Sequence, residues 1–181
     1  PTTATSRGSG DGPVLPGEVF ATQTSFTNYS FSSIANGSVC AVFDSRYYAP
    51  FADANTGSDP ARCTNCGGET EGVDYFVEYG VGYTSTAFLD ASPTPNSAIP
   101  AECTAATGWF GTLSDAEAAG AVTKVRLRKV NPLESGDSAV LQVQLRAYEA
   151  SALTGVDIGT LFKTWGTFSS DLGSRNCRYI P

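Results

Sequence analysis

Alternation of apolar and polar residues predicts most of the structure of this chain. It is clearest in two segments, TKVRLRK at 123–129 and AVLQVQLRA at 139–147, where apolar side chains recur at every second position. Such period-two alternation is typical of β-strands with one buried face and one face in water. Between them, Pro132 and Gly136 supply residues suited to a turn. We therefore predict that the two segments form an antiparallel pair.

Weaker alternation predicts four further strands. They lie near residues 20–26, 39–43, 73–79 and 161–168. Helix is scarce in the pattern. A short helix is predicted at Ser114, because Glu117 follows at capping-box spacing, and Gly120 ends it after about one turn.

Several short strands separated by turn-rich segments are typical of two packed antiparallel sheets. We predict an all-β fold, an antiparallel immunoglobulin-like β-sandwich, with a barrel as the alternative. Segments 44–72 and 84–108 are rich in Pro, Gly, Asp, Asn and Ser, which predicts long loops stapled by disulfides. Residues 1–17 are polar and lack periodicity, so we predict an extended arm or linker there and one sandwich domain over 18–181.

The cysteines are scattered through the chain, apart from one Cys-x-x-Cys pair. They are Cys40, Cys63, Cys66, Cys103 and Cys177. Scattered cysteines favour structural disulfides in an oxidising compartment, and hence a secreted, extracellular or cell-surface protein. Two bridges and one leftover thiol is the simplest arrangement. Leaving out one of the five cysteines and joining the other four in three ways gives fifteen pairings.

The Cys63–Cys66 spacing also fits a redox motif or half a zinc site. A redox motif of this kind normally sits in a βαβ unit, for which the sequence gives no pattern. A zinc site would need Cys103 together with Cys40 or Cys177 as distant ligands. Structural disulfides are therefore the leading interpretation.

The charge of the chain argues against several classes of partner. The net charge is −7, whereas nucleic acids and anionic membrane surfaces bind basic proteins. No apolar run approaches the roughly 18 residues that a membrane span needs, so we expect no membrane insertion. Residues 1–120 carry thirteen acidic and three basic residues, and residues 121–181 carry five and eight. Opposite charges at the two ends favour head-to-tail contacts between copies.

Histidine is absent from the sequence. This removes Ser-His-Asp and Cys-His catalytic systems, imidazole metal sites and the commonest general base. Carboxylate chemistry of the glycosidase kind remains, with candidates at Glu69, Glu71, Asp74 and Glu78. Acids that alternate along a strand are more typical of a solvated face, so we expect no enzymatic activity.

Two further motifs have a chemical interpretation. Asp53, Asn55 and Asp59 place oxygen donors at alternate positions around a glycine, as calcium-binding loops do, although any exposed turn has a similar composition. Lys163 lies in the apolar context Leu-Phe-Lys-Thr-Trp, where it is a candidate for an isopeptide bond to an Asn or Asp side chain. The alternative is a lysine whose stem packs while its ammonium reaches water. No other cofactor is predicted.

Residues 109–147 carry a series of motifs: an aromatic pair, a Ser/Asp/Ala-rich turn, AVTKVR, a Leu-x-x-Gly turn and a Leu-x-Val-x-Leu strand. Together with NGSVCAVFD at 36–44 and VDYFVEYGVGYTS at 73–85, they resemble the conserved-repeat, immunoglobulin-like domains of unknown function in bacterial cell-surface proteins. The resemblance covers residues 18–150. It implies an extracellular role in stalks, envelopes or surface fibres, and it brings no catalytic residues.

These observations favour a structural subunit of an extracellular filament, stalk or cell-surface layer, with other copies of the chain as partners in a homopolymer. Edge strands, the arm and complementary charge would supply the contacts. The predicted basic assembly surface comprises Lys124, Arg126, Arg128 and Arg146. The alternative is an adhesin or ligand-binding module that recognises a glycan or protein through aromatic loops, with candidates at Tyr47, Tyr48, Tyr83 and Trp109.

Overall fold

The structure is a computed structural model of the chain. It describes residues 5–6, 14–54, 56–57, 59–82, 103, 107–152, 164–170 and 173–179. In residues 5–6, 164–169 and 173–179 only the backbone is described. Within these ranges the chain is mostly β-strand, as the alternation predicts. The strands are β1 (Thr5–Ser6), β2 (Val19–Thr27), β3 (Ser38–Phe43), β4 (Tyr48–Pro50), β5 (Ala61–Cys63), β6 (Tyr75–Val81), β7 (Trp109–Phe110), β8 (Val122–Lys129), β9 (Ser138–Ala147), β10 (Thr164–Ser170) and β11 (Gly173–Tyr179).

The strands form two sheets. The five-stranded sheet has the order β1-β2-β9-β4, and β5 pairs with β9 beside β4. The six-stranded sheet has the order β11-β10-β3-β8-β6-β7. All described strand pairs are antiparallel except β1 with β2, which is parallel. Two antiparallel sheets are therefore confirmed.

The predicted pairing of the two most regular segments is wrong. The strand β8 lies between β3 and β6 in one sheet, whereas β9 lies between β2 and the short strands β4 and β5 in the other. Each strand therefore has both hydrogen-bonding edges occupied by other strands. Residues 130–137 cross from one sheet to the other. The alternation still identified the buried side chains, because those of both strands point into the space between the sheets.

A hydrophobic core fills the space between the two sheets. In β9, Leu141, Val143 and Leu145 are fully buried, and in β8 so are Val125 and Leu127. Burying a side chain of this size stabilises the fold by about 1.5–3 kcal/mol. The ring of Tyr48 in β4 packs edge-on against that of Phe20 in β2, with the ring centres 5.3 Å apart, so the contact joins the two strands that flank β9.

One short helix, α1 (Leu113–Ala119), packs against the core through Leu113 and Ala116. Its N-cap is Thr112 rather than Ser114, because the Thr112 side chain accepts a hydrogen bond from the backbone N–H of Asp115. The helix ends before Gly120, as predicted. The N-cap therefore lies two positions before the predicted one. Thr112 and Asp115 have a spacing that also allows capping, and they compete with Ser114 and Glu117 for this role.

Two disulfides are present, Cys40–Cys103 and Cys63–Cys66. This agrees with the expectation of two bridges, and it indicates a compartment less reducing than the cytoplasm. Because all four sulfurs are bonded in pairs, the alternative zinc site is not formed. The fifth cysteine, Cys177, lies in β11 opposite Gly166, and its side chain is outside the described part.

Candidate assembly surfaces

The arm and the edge of the five-stranded sheet meet at β2. The two described arm residues, Thr5 and Ser6, pair in parallel with Phe20 and Ala21. Twelve residues connect Ser6 to Val19. A parallel connection needs about a dozen residues or more, so this one is at the lower limit. The edge of β2 is therefore a strand-accepting edge whose occupant comes from the arm.

The composition of β2 suits it to strand addition. Its sequence, VFATQTSFT, contains no charged residue and no proline, which are the usual devices that protect an edge strand from pairing. At the other edge of the same sheet, β4 ends at Pro50, β5 carries Arg62, and each strand has only three residues. One edge is thus protected by length, proline and charge, and the other is not.

The predicted basic surface is divided between the two sheets. Lys124, Arg126 and Arg128 lie on β8, and their side chains share the face of the six-stranded sheet that is turned away from the core. Arg146 lies on β9 in the five-stranded sheet, with its guanidinium carbon 3.6 Å from the centre of the Phe51 ring. The four residues do not form one surface. Their role in assembly stays a prediction.

Part of the outer face of the six-stranded sheet is packed under other side chains rather than exposed to water. Trp109 packs there with Val42 and the Cys40–Cys103 disulfide, which form a small second core. Lys124 is only 4% exposed, and its ammonium lies 5.4 Å from the centre of the Trp109 ring. The prediction that this face is solvated is therefore wrong at Lys124.

Gly80 allows Lys124 and Trp109 to pack closely on the outer face of the six-stranded sheet. A Cβ atom at this position would lie 2.5 Å from the Lys124 side chain and 2.9 Å from Trp109. Only glycine leaves room for both side chains to cross the strand at this point. The sequence pattern does not reveal this packing, because Trp109 and Cys103 come from a different part of the chain.

Among the residues that the structure describes, four of the five exposed large hydrophobic side chains lie at one end of the two sheets, here called the apolar end. They are Tyr29, Phe31, Val73 and Val130. Tyr29 and Phe31 follow β2, Val73 precedes β6, and Val130 follows β8. Backbone hydrogen bonds join these segments, including one from the Val130 N–H to the Asp74 carbonyl. The apolar end is therefore a contiguous set of loop connections.

The loop that carries Tyr29 and Phe31 is fixed by Asn28. The Asn28 side chain is fully buried, and its Nδ2 donates to the carbonyls of Ser32 and Leu133, each at 2.9 Å. Its Oδ1 accepts from the N–H and the hydroxyl of Ser30. Tyr29 is 87% exposed and Phe31 is fully exposed. The loop thus presents two aromatic rings to solvent on a rigid base.

The aromatic residues singled out from the sequence are placed differently. Tyr48 is fully buried, and Tyr47 and Trp109 are half-buried. Tyr83 lies outside the described residues. The exposed pair at Tyr29 and Phe31 was missed, although its setting in Asn-Tyr-Ser-Phe-Ser-Ser gave a signal: aromatic residues interrupting a polar turn directly after a strand.

The four candidate catalytic carboxylates are engaged in separate contacts. Glu69 forms an ion pair with Lys129, and Glu78 pairs with Arg126 at 2.7 Å. The backbone N–H of Thr70 donates to Asp74 and, as the largest effect, lowers the pKa of that carboxyl. Burial raises the pKa of Glu71. A raised pKa beside a depressed one is typical of acid–base pairs, but the pKa of Glu71 is raised by burial and by Asp59, whereas that of Asp74 is lowered by hydrogen bonds from Thr70 and Asn131, so the two shifts have separate causes.

The candidate calcium loop is closed by its own hydrogen bonds. Asp53 Oδ1 accepts from the Thr56 N–H at 3.1 Å, and the Asp53 carbonyl accepts from the Gly57 N–H at 2.9 Å. Asn55 lies outside the described residues. In the part of the chain that the structure describes, no group of three or more His, Cys, Asp or Glu side chains is arranged to hold a metal ion. Calcium binding by Asp53, Asn55 and Asp59 stays a prediction.

No protein-family model and no curated protein matches the chain. The resemblance to immunoglobulin-like domains of cell-surface proteins therefore stays an expectation from sequence motifs. No helix within the described ranges is long and apolar enough to cross a membrane. Lys163, the isopeptide candidate, lies outside the described residues.

Proposed function

We propose that the chain is a structural module of an extracellular or cell-surface assembly, in which the arm of one copy adds to the β2 edge of the next. The observation that carries the proposal is the parallel pairing of Thr5 and Ser6 with Phe20 and Ala21. An arm from a neighbouring copy would occupy the same position without the short twelve-residue connection. Two disulfides and the absence of histidine also fit a structural role outside the cytoplasm.

Strand addition gives affinity without special side chains. Each backbone hydrogen bond contributes about 0.5–1.5 kcal/mol net, so a strand pairing along the nine residues of β2 would supply several kcal/mol. The exposed side chains of Gln23 and Ser25 would then help to set the register. The acidic excess of residues 1–120 and the basic excess of residues 121–181 would favour head-to-tail joining of copies.

We propose further that the two sheets form an immunoglobulin-like sandwich. Two antiparallel sheets around one core fit an immunoglobulin-like sandwich. A stalk or fibre would consist of such domains repeated in series. Arg128 is partly exposed on the outer face of the six-stranded sheet, and its guanidinium would meet the acidic part of a neighbouring copy. Edge pairing supplies the affinity in this arrangement, and the charges orient the copies.

The test is light scattering of the full chain over a range of concentrations. We expect wild-type protein to form oligomers whose mass increases with concentration. The double variant Gln23→Lys/Ser25→Lys places two cations on the accepting edge and should remain monomeric. The control Glu134→Lys changes the net charge by the same amount at an exposed turn and should assemble like wild type. A wild-type monomer at all concentrations would contradict the proposal.

The apolar end favours a second candidate, a binding module for a protein or glycan. Its support is the fixed loop that exposes Tyr29 and Phe31. Aromatic rings on a rigid base are good binding anchors, since little conformational entropy is lost when they are covered. The variant Tyr29→Ser/Phe31→Ser separates the two functions. Self-assembly should be unchanged in it if this end binds a different partner, and lost if the end joins copies.

A further inference from the structure

The Cys63–Cys66 disulfide lies beside a buried lysine. The two cysteines are three positions apart, and both are half-exposed. The Lys129 ammonium nitrogen lies 3.6 Å from Cys66 Sγ, while the lysine side chain is only 5% exposed. Glu69 forms an ion pair with the same ammonium, and the Tyr75 ring centre lies 5.7 Å from it. A cation is thus held against one of the two sulfurs.

The contact between the Lys129 ammonium and Cys66 is weak in the disulfide and strong in the reduced thiolate. A disulfide sulfur is a weak acceptor, whereas a thiolate is an anion that a neighbouring ammonium stabilises strongly. A buried ammonium needs acceptors for its hydrogens, and Glu69 supplies one of them. In the reduced state Cys66 would supply another. Lys129 therefore favours the thiolate of Cys66 over the disulfide.

We infer that the Cys63–Cys66 disulfide is a thiol–disulfide exchange site in which Cys66 is the leaving group and Lys129 is its positioning residue. A thiolate of an external thiol attacks Cys63 Sγ, the Sγ–Sγ bond breaks, and Cys66 leaves with the electron pair. A second external thiol then attacks the mixed disulfide at the external sulfur. In sum, two external thiols are oxidised to one disulfide, and Cys63 and Cys66 gain two electrons; Cys63 takes up one proton, and the other is released to solvent while Lys129 holds Cys66 as the thiolate.

Hydrogen bonds independent of the disulfide keep this loop in place. The Asn65 side chain donates to the Ser138 carbonyl at 2.7 Å and accepts from the Val140 N–H at 3.0 Å. The Thr64 N–H donates to the Val140 carbonyl at 3.0 Å, so the loop continues the pairing of β5 along β9. Both thiols should therefore stay near each other after reduction. Such a site recloses without refolding.

The second disulfide provides a contrast within the same molecule. Cys40 and Cys103 are buried beside Trp109 and close a span of 63 residues. An external thiol cannot reach these sulfurs without opening the outer face of the six-stranded sheet. We therefore expect the two disulfides to differ in their rate of reduction.

The experiment equilibrates the folded full chain in glutathione buffers, blocks free thiols by alkylation and maps each cysteine by mass spectrometry. Lys129→Met should lower the equilibrium constant for reduction of Cys63–Cys66 by about fivefold, because the leaving thiolate loses its cation. Glu69→Gln should raise it by about threefold, because the carboxylate no longer competes for the ammonium. Arg128→Met, on the same strand but in contact with Phe76 and Glu78, is the control and should stay within about twofold.

Three results would overturn the inference. One is a Cys63–Cys66 disulfide as resistant to reduction as Cys40–Cys103. Another is a shift of equal size in Lys129→Met and Arg128→Met. The third is a shift in the same direction for Lys129→Met and Glu69→Gln, which would show that both variants only loosen the loop. A repeat with a dithiol in place of glutathione distinguishes a general exchange site from one that needs a small monothiol.

Discussion

The guanidinium carbon of Arg126 lies 4.1 Å from the centre of the Trp109 ring, and Arg126 Nε donates a 2.7 Å hydrogen bond to Glu78. The two contacts hold the arginine between an aromatic ring and a carboxylate. Because Trp109 comes from β7, at the edge of the sheet, this packing joins the edge strand to the central strands β8 and β6. Two of the basic residues that alternate along β8, Lys124 and Arg126, are thus packed against Trp109.

The Trp109 packing is testable by a double-mutant cycle. Trp109→Ala should lower the free energy of unfolding by about 2–4 kcal/mol, because the ring covers a disulfide and Lys124. Combining it with Arg126→Met should give a coupling energy of about 0.5–2 kcal/mol. Urea denaturation measures both. Phe31→Ala, at a fully exposed ring, is the control and should change stability by less than about 0.5 kcal/mol. Additive effects of Trp109→Ala and Arg126→Met would contradict the stacking.

Asn28 should be among the most sensitive polar positions. Its buried amide makes two donor and two acceptor contacts that join the β2–β3 loop to the 130–137 crossing. Asn28→Ala removes all four hydrogen bonds of a fully buried side chain, which should destabilise the fold by about 2–3 kcal/mol in chemical denaturation. Asn131→Ala removes one exposed hydrogen bond to Asp74 and should cost less than about 1 kcal/mol. Equal losses in the two variants would contradict the role assigned to Asn28.

Buried tyrosines should make the protein sensitive to alkali. Burial raises the pKa of Tyr48 and Tyr79 well above the ordinary value near 10. Above pH 10 the unfolded chain releases these protons and the folded chain retains them, so stability falls as pH rises, by about 1.4 kcal/mol per pH unit for each tyrosine. Below pH 10 both states are protonated at these groups, and the loss disappears.

The variant Tyr79→Phe checks this pH dependence. It should reduce the slope of unfolding free energy against pH by about 1.4 kcal/mol per pH unit, which is the contribution of one proton. Urea denaturation between about pH 9 and 11 measures the slope. It also removes the acceptor of the Ala61 N–H, a 3.2 Å hydrogen bond, and should cost about 1–3 kcal/mol at neutral pH. Tyr29→Phe, at an exposed ring, should leave the slope unchanged. A slope unaffected by Tyr79→Phe would contradict the assignment.

The two disulfides should differ in their contribution to stability. Cys40–Cys103 closes a span of 63 residues, and Cys63–Cys66 a span of three. From the loop entropy of the unfolded chain, replacing the first pair by alanine should cost about 4 kcal/mol and the second about 2 kcal/mol. Thermal denaturation of the two double variants measures the difference. A larger loss for Cys63→Ala/Cys66→Ala would contradict this order.

Several features of the fold could be predicted from local pattern. Alternation in 123–129 and 139–147 identified the apolar side chains of β8 and β9 that face the core, since a strand exposes successive side chains to opposite faces. It did not predict that Lys124 and Gln144, on the opposite faces, are buried as well. The composition also predicted two disulfides. The pairing of Cys40 with Cys103 could not be predicted, because contacts between residues 63 positions apart depend on where the intervening chain folds.

The site residues were predicted less well than the strands. The basic row at Lys124, Arg126 and Arg128 was identified, but the packing of Trp109 against Lys124 and Arg126 was not, because a sequence pattern describes one strand and not what packs over it. The contact between Lys129 and Cys66 was missed for the same reason, since it joins the end of β8 to the loop after β5. The polar turn around Tyr29 and Phe31 indicates a loop after a strand, but it does not tell whether the two rings are buried or exposed, so the pair was missed.

The sequence by itself determined the positions of six strands, which apolar side chains of β8 and β9 face the core, and that histidine-dependent chemistry is absent. It did not predict β4 and β5, which lie in the segment 44–72 that was expected to be a long loop. Only the tertiary structure decided which strands are neighbours. It separated β8 from β9, divided the basic residues between two sheets, and placed a buried ammonium against a disulfide. The physical reason is that alternation reports the burial of each side chain, which any apolar partner satisfies, whereas strand pairing and ion pairing depend on contacts between segments far apart in the chain.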